Sequence, residues 1–254
     1  LWVGTKTRPL GKLAFTAHRG FKAPNSIYIR REKGRYFASF CYEDEVEEMP
    51  SREEHLEALR AKDVGGWETS VCGIDRGIAI PIQTQKQSYR LDRGQEKNKR
   101  RHERQIKRLQ RRLSKQIKDS HRREKTKRRL GQHHAKSANI RHDFCHKASR
   151  SLADSAYRVF IIEDLSTRNM TRSAKGTVEQ PGKRVKAKSG LNRAILDQGW
   201  HLFASCLAYK AHRASKVVFK VAPHHTSQEC AQCGHTHPSN RSTQSEFHCV
   251  ACGH

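Results

Sequence analysis

The chain has 254 residues, 51 of them Lys or Arg and 25 Asp or Glu, for a formal net charge of +26 at pH 7. No run approaches the ~20 consecutive apolar residues of a bilayer span, so membrane-spanning helices are excluded, and the length suits one large or two small domains. An excess of this size calls for a polyanionic partner, nucleic acid first, because Lys and Arg that neutralise phosphates release counterions.

The chain starts at Leu1 rather than Met and carries no charged-then-apolar leader, so it reads as an excerpt of a longer protein, cytoplasmic and nucleoid-associated. Residues 26–40 predict a β-hairpin: Ile27–Ile29 and Tyr36–Phe40 are β-rich, and Glu32-Lys33-Gly34 supplies a turn. Such a hairpin fits an RNA-facing module or a plain β-barrel subdomain. Residues 43–57 hold eight Asp and Glu and predict a helix or connector. Val71–Asp75 is an apolar strand ending on a carboxylate. Gly77 then permits a tight turn, Ile78–Ile80 predicts a second strand, and Pro81 marks an edge or bulge.

From Lys86 to Arg150 there are 24 Lys and Arg against six Asp and Glu, which is most of the net charge of the chain. Ile106, Leu109, Leu113 and Ile117 line one helix face, and Ile140, Phe144, Ala148 and Leu152 line that of a second helix. Gly131 and Asp119-Ser120 are the expected breaks. Ordinary solvated helices alternate charge sign, whereas this segment is nearly all positive, so its exposed face predicts nucleic-acid contact through Arg100, Arg101, Arg104, Lys107, Arg108, Arg111 and Arg112. Val159–Ile162 is a short buried strand ending on Glu163-Asp164. Residues 171–189 predict a mobile basic loop, Leu191–Ser215 one helix, and Lys216–Val221 a last strand. The order indicates an α/β core carrying a large helical insertion.

Two patterns carry chemistry. Cys230-x-x-Cys233 and Cys249-x-x-Cys252 give four thiolates at two knuckles, the spacing of a tetrahedral structural Zn²⁺ site, with Gly234 and Gly253 where the chain must wrap the sulfurs. With all four positions filled by protein, that zinc is not catalytic. Asp75 and Glu163 each stand where a buried strand emerges, which suits Mg²⁺ held by carboxylates. From position alone, Asp75 as a turn residue and Glu163 as an ion-pair partner remain open.

Gly73-Ile74-Asp75-Arg76-Gly77, Ile161-Ile162-Glu163-Asp164-Leu165, and Thr226-Ser227-Gln228 leading into Cys230 and Cys233-Gly234 resemble the transposon-encoded TnpB (OrfB) family, relatives of the compact type V CRISPR effectors. The helix from Leu191 to Trp200 and the Tyr209-Lys210 segment are similar as well. The resemblance implies an α/β, RNase H-like (RuvC) mixed sheet interrupted by long basic helices, a partial N-terminal β-barrel module of the guide-RNA-binding kind, and a C-terminal zinc ribbon. The corresponding boundaries are 1–68, 69–223 with the insertion at about 93–150, and 224–254. It implies a transposition-associated DNA endonuclease guided by RNA, with guide RNA and target DNA as partners and Mg²⁺ for cleavage. Asp75 and Glu163 match the first two acids of the family; the third follows the last Cys-x-x-Cys-Gly and is not in this chain. Asp92, Asp154 and Asp197 do not sit at matching strand ends. The alternatives are a nuclease-dead RNA-guided DNA binder or repressor and an unguided RNA-binding zinc-ribbon protein.

Overall fold

A computed structural model describes residues 2–4, 7–12, 14–17, 20–32, 35–43, 50–224, 227–243 and 246–254. The chain divides into two units, residues 1–48 with 105–134 and residues 49–104 with 135–254.

The smaller unit holds two antiparallel ladders. Strand β1 (Trp2–Gly4) pairs with β2 (Pro9–Lys12), and β3 (Ser26–Glu32) pairs with β4 (Arg35–Cys41) from Ser26 opposite Cys41 to Glu32 opposite Arg35. The second ladder is the expected hairpin, although Lys33 and Gly34 of its turn lie outside the described residues. Phe40 packs against Phe15 and Phe21 at ring-centroid distances of 5.4 and 5.0 Å. The guanidinium of Arg30 lies 5.7 Å from the centre of the Phe37 ring, a cation–π contact.

The larger unit begins with α1 (Arg52–Arg60), which Ser51 and Glu54 start with a reciprocal capping box. Much of the acidic stretch expected there, 44–49, lies outside the described residues. Helix α2 (Val64–Ser70), capped by Asp63, leads into β5 (Val71–Asp75). The next strand, β6 (Ile82–Thr84), begins after Pro81, not at Ile78. The amide of Gly77 donates to the carbonyl of Ile80 at 3.1 Å, so residues 77–80 are spent on the turn. A side chain at Gly77 would meet that carbonyl at 2.9 Å. Strand β7 (Ser88–Tyr89) completes an antiparallel trio.

The basic segment forms α3 (Arg93–Ser114) and α4 (His121–Ala153). Asp92 starts α3 by accepting from the amide of Gln95 at 2.7 Å. The break falls at Asp119, whose φ of 63° no helix accommodates. Arg123 donates to the carbonyls of Leu113 at 2.5 Å and Gln116 at 3.0 Å, taking up free acceptors past the end of α3. Gly131 does not break α4: one glycine costs a helix about 1 kcal/mol, too little to interrupt one of this length. Ile117 falls past the end of α3 and is exposed.

Strand β8 (Val159–Glu163), the short helix α5 (Thr167–Met170), α6 (Val185–Gln198), α7 (Trp200–Arg213) and β9 (Val217–Val221) follow. The single helix expected over 191–215 is two helices, the first starting six residues earlier. Gly199 separates them at φ 72°, where a side chain would meet Arg141 at 2.9 Å. The sheet order is β7-β6-β5-β8-β9, with β5, β8 and β9 parallel. Cys72, Ile74, Phe160 and Ile162 turn one face to Phe144, Cys145, Ala148 and Leu152 of α4 and to Phe203, Leu207 and Ala211 of α7. Val71, Val159, Ile161 and Phe219 turn the other face to Leu56 and Leu59 of α1. Lys210 ties α7 to α4 through the carbonyl of His146 at 2.6 Å and the hydroxyl of Ser149 at 2.8 Å. Among the described residues no helix is long and apolar enough to cross a membrane.

Candidate functional site

The two strand-end acids come together by register. Strands β5 and β8 run parallel with Val71 opposite Val159 and Ile74 opposite Ile162, so the next step along the ladder sets Asp75 beside Glu163. Side chains alternate between the faces of a strand, and strands in one sheet lie about 4.8 Å apart. Asp75 and Glu163 both belong to the set containing Val71, Val159 and Ile161, so both carboxylates leave the same face at the carboxyl ends of adjacent strands. Asp75 is exposed and Glu163 half-buried. On the far side of β8 Glu163 is opposite Val221, and the neighbouring Asp164 pairs with Lys220 at 3.2 Å.

A buried cation, Arg76, stands at these strand ends. Arg76 is 7% exposed; its Nη2 donates to the main-chain carbonyl of Glu163, and its Nη1 to that of Trp200 at 3.4 Å. Burial lowers the pKa of the guanidinium, and Glu163, Asp164 and Asp75 act in the opposite direction. Arg76 stands inside the Gly73–Gly77 motif, yet the sequence offered no role for it beyond the likeness.

Beside these strand ends is a cleft of about 690 Å³ lined by Asp164, Ser166, Asn169, Lys220, Pro223 and His224 among others. The other three acids are engaged elsewhere. Asp92 caps α3, Asp154 pairs with Arg150 at 2.7 Å, and Asp197 pairs with Lys99 at 2.5 Å and Arg141 at 2.9 Å. None belongs to the strand-end pair.

The two Cys-x-x-Cys segments form matching knuckles. The amide of Gly234 donates to the Cys230 carbonyl at 2.9 Å, and that of Gly253 to the Cys249 carbonyl at 2.9 Å, with φ of 71° and 76°. The four Sγ atoms lie within 4.8 Å of one another, with Cys230–Cys252 and Cys233–Cys249 both at 3.6 Å. A tetrahedron with Zn–S bonds near 2.3 Å has edges of about 3.8 Å, so the thiols fit zinc. Burial opposes ionisation of Cys249, but the amides of Cys252 and Ala251 together with the thiols of Cys233 and Cys252 outweigh it and bring its pKa down to about 6, while Cys233 and Cys252 are raised. A thiolate is the form a metal takes. Asn240 is fully buried between the knuckles and holds both. Its Nδ2 donates to the carbonyls of Gln228 at 2.8 Å and His235 at 2.9 Å, and its Oδ1 accepts from the amide of Val250 at 2.9 Å. No spacing rule singled it out. Thr226 lies outside the described residues.

All seven cations nominated on α3 are exposed. At 100° per residue Arg100, Arg101, Arg104, Lys107, Arg108, Arg111 and Arg112 span an arc of about 140°. Ile106, Leu109 and Leu113 lie opposite, Leu109 buried and the other two half-buried.

Residues 40–174 match the family described as "Probable transposase" (OrfB_IS605), and residues 200–254 match the "Cas12f1-like, TNB domain". The chain is similar to "Putative RNA-guided DNA endonuclease InsQ" of Escherichia coli (strain K12), 41% identical over 181 residues that cover 71% of this chain and 44% of that protein. It is also similar to "CRISPR-associated endodeoxyribonuclease Cas12f1" of Sulfoacidibacillus thermotolerans, 28% identical over 191 residues that cover 72% of this chain and 42% of that one. Among solved structures, a cryo-EM Cas12f1–sgRNA–target DNA complex matches with a TM-score of 0.46 and 16% identity, over 90% of this chain and 52% of that one. The chain thus spans less than half the length of the two curated relatives.

Proposed function

The chain belongs to the probable-transposase family OrfB_IS605, and from that premise we propose that it carries the nuclease machinery of an RNA-guided DNA endonuclease that hydrolyses phosphodiesters with Mg²⁺. The observation that carries this reading is the parallel register of β5 and β8, which runs to Ile74 opposite Ile162; one further step along it brings Asp75 level with Glu163. Two carboxylates leaving adjacent strand ends suit a hard, oxygen-preferring cation, and Asp75 and Glu163 are the residues that would hold it. Bound there, Mg²⁺ supplies a Lewis acid that activates water and stabilises the leaving oxygen. The resemblance puts a third carboxylate of the set after the Cys249–Cys252 knuckle.

The strand order β7-β6-β5-β8-β9, three antiparallel strands continued by two parallel ones, supports an RNase H-like (RuvC) sheet. In this reading residues 1–68 form part of a guide-RNA-binding β-barrel module and its connector, 69–223 the nuclease core with its basic insertion, and 224–254 the ribbon. The α3 stripe grips phosphates by charge, without reading sequence, while base pairing with a guide RNA selects the DNA. Cys230, Cys233, Cys249 and Cys252 hold a structural Zn²⁺ and leave it no open position for chemistry.

The test is cleavage of a target-bearing plasmid by the full-length protein purified with its own RNA, in Mg²⁺. Cutting should require the RNA and disappear in Asp75→Ala and Glu163→Ala, while target binding persists in both. Undiminished cutting by either variant overturns the assignment.

A further inference from the structure

Arg76 is a cation buried where a neutral residue could satisfy the geometry. Its two terminal nitrogens meet the carbonyls of Glu163 and Trp200, linking the ends of both acid-bearing strands to the first residue of α7. Its Nε is buried without a hydrogen-bond partner among the described residues. A guanidinium keeps its charge in proteins, and burying a charge is costly unless opposite charge compensates it. Here burial is the largest effect on the guanidinium, and Glu163, Asp164 and Asp75 offset part of it. Carbonyls need donors only; a permanent positive charge is needed only by the carboxylates.

We propose that Arg76 is a positioning residue of the acid pair: it pins the main chain of Glu163 beside Asp75 and offsets their mutual repulsion, so the pair is assembled before a divalent cation arrives and holds that cation loosely enough to exchange it. This rests on the reading of Asp75 and Glu163 as metal ligands. It makes affinity and rate respond in opposite directions. Removing the charge leaves the acids more negative and the cation more tightly held, while loss of the guanidinium fork frees Glu163 and slows cutting.

The experiment measures Mn²⁺ binding by electron paramagnetic resonance on the full-length protein with its RNA, alongside plasmid cleavage. Arg76→Met should bind Mn²⁺ about tenfold more tightly, the effect of removing one charge several ångströms from a divalent ion in a partly solvated site, and cut at least tenfold more slowly. Arg76→Lys, which keeps the charge and loses the fork, should bind Mn²⁺ within about twofold of the parent while also cutting more slowly. Arg76→Gln, with neutral donors for the carbonyls, repeats the measurement should Arg76→Met not fold. Unchanged or weaker Mn²⁺ binding on loss of the charge overturns the role of Arg76 when Asp75→Asn abolishes that binding. If Asp75→Asn leaves it intact as well, the metal-ligand reading has failed and this inference falls with it.

Discussion

Asn240→Ala tests how much of the zinc site is built by the protein before metal. The side chain is fully buried and makes three hydrogen bonds of 2.8 to 2.9 Å, to Gln228, His235 and Val250. Each is worth about 1 kcal/mol net, and truncation takes a partner from three main-chain groups in a buried setting, so the ribbon should lose about 3–4 kcal/mol. A segment this small has little apolar core, so its folding and its metal binding share one free energy. At about 1.4 kcal/mol per factor of ten, that loss appears as zinc affinity lowered about 10²- to 10³-fold. Competition with a chromophoric chelator on the reduced, intact chain reads the affinity directly. Ser239→Ala, at an exposed neighbour, should stay within about twofold of the parent. An Asn240→Ala protein that holds zinc within about threefold of the parent refutes the reasoning, and the knuckles would then be organised by the metal alone.

Stripping zinc with a chelator should remove hydrogen-exchange protection from residues 227–254 while β5, β8 and β9 keep theirs; retained protection in the ribbon would show a fold independent of metal. Changing Arg104, Arg108, Arg111 and Arg112 together to Gln should weaken nucleic-acid binding for all sequences and reduce the salt slope by about 3, the share of four phosphate contacts. An unchanged slope would remove this face from the interface. Leu207→Ala, at a fully buried position on α7, should destabilise the larger unit by about 3 kcal/mol in denaturant titration; a loss under about 1 kcal/mol would mean that the core around it is loosely packed.

What the sequence made legible are features written in one residue and its near neighbours. Short apolar runs located β5, β8 and β9, and cysteine spacing located the knuckles. Chain-local rules also placed Asp75 and Glu163 at strand ends, but their adjacency depends on a register between segments far apart in sequence. The errors lie where tertiary packing overrules a local signal. The strand starts only after Pro81 because Gly77–Ile80 closes a turn before it, whereas the apolar run Ile78–Ile80 alone reads as strand. Gly131 stays helical and Gly199 ends a helix. The difference is the backbone each site imposes: Gly199 takes a positive φ against Arg141, whereas a side chain at Gly131 would meet nothing within 4 Å among the described residues outside its own helix. Arg76 and Asn240 escaped notice because their roles are set by main-chain carbonyls, and the identity of a carbonyl's residue carries no trace of what will bond to it.

The parallel pairing of β5 with β8 has a consequence for how the molecule comes into being. Residues 76–162 are synthesised between the two acids, so Asp75 emerges first and waits while two long helices form. Helices built from local contacts form far faster than a pairing between distant strands, whose closure entropy must be met first. Lys210 and the apolar face of α7, which hold α4 against the sheet, come later still. The acid pair is therefore completed after the basic helices, and in the function proposed above the grip on nucleic acid would precede the ability to cut it.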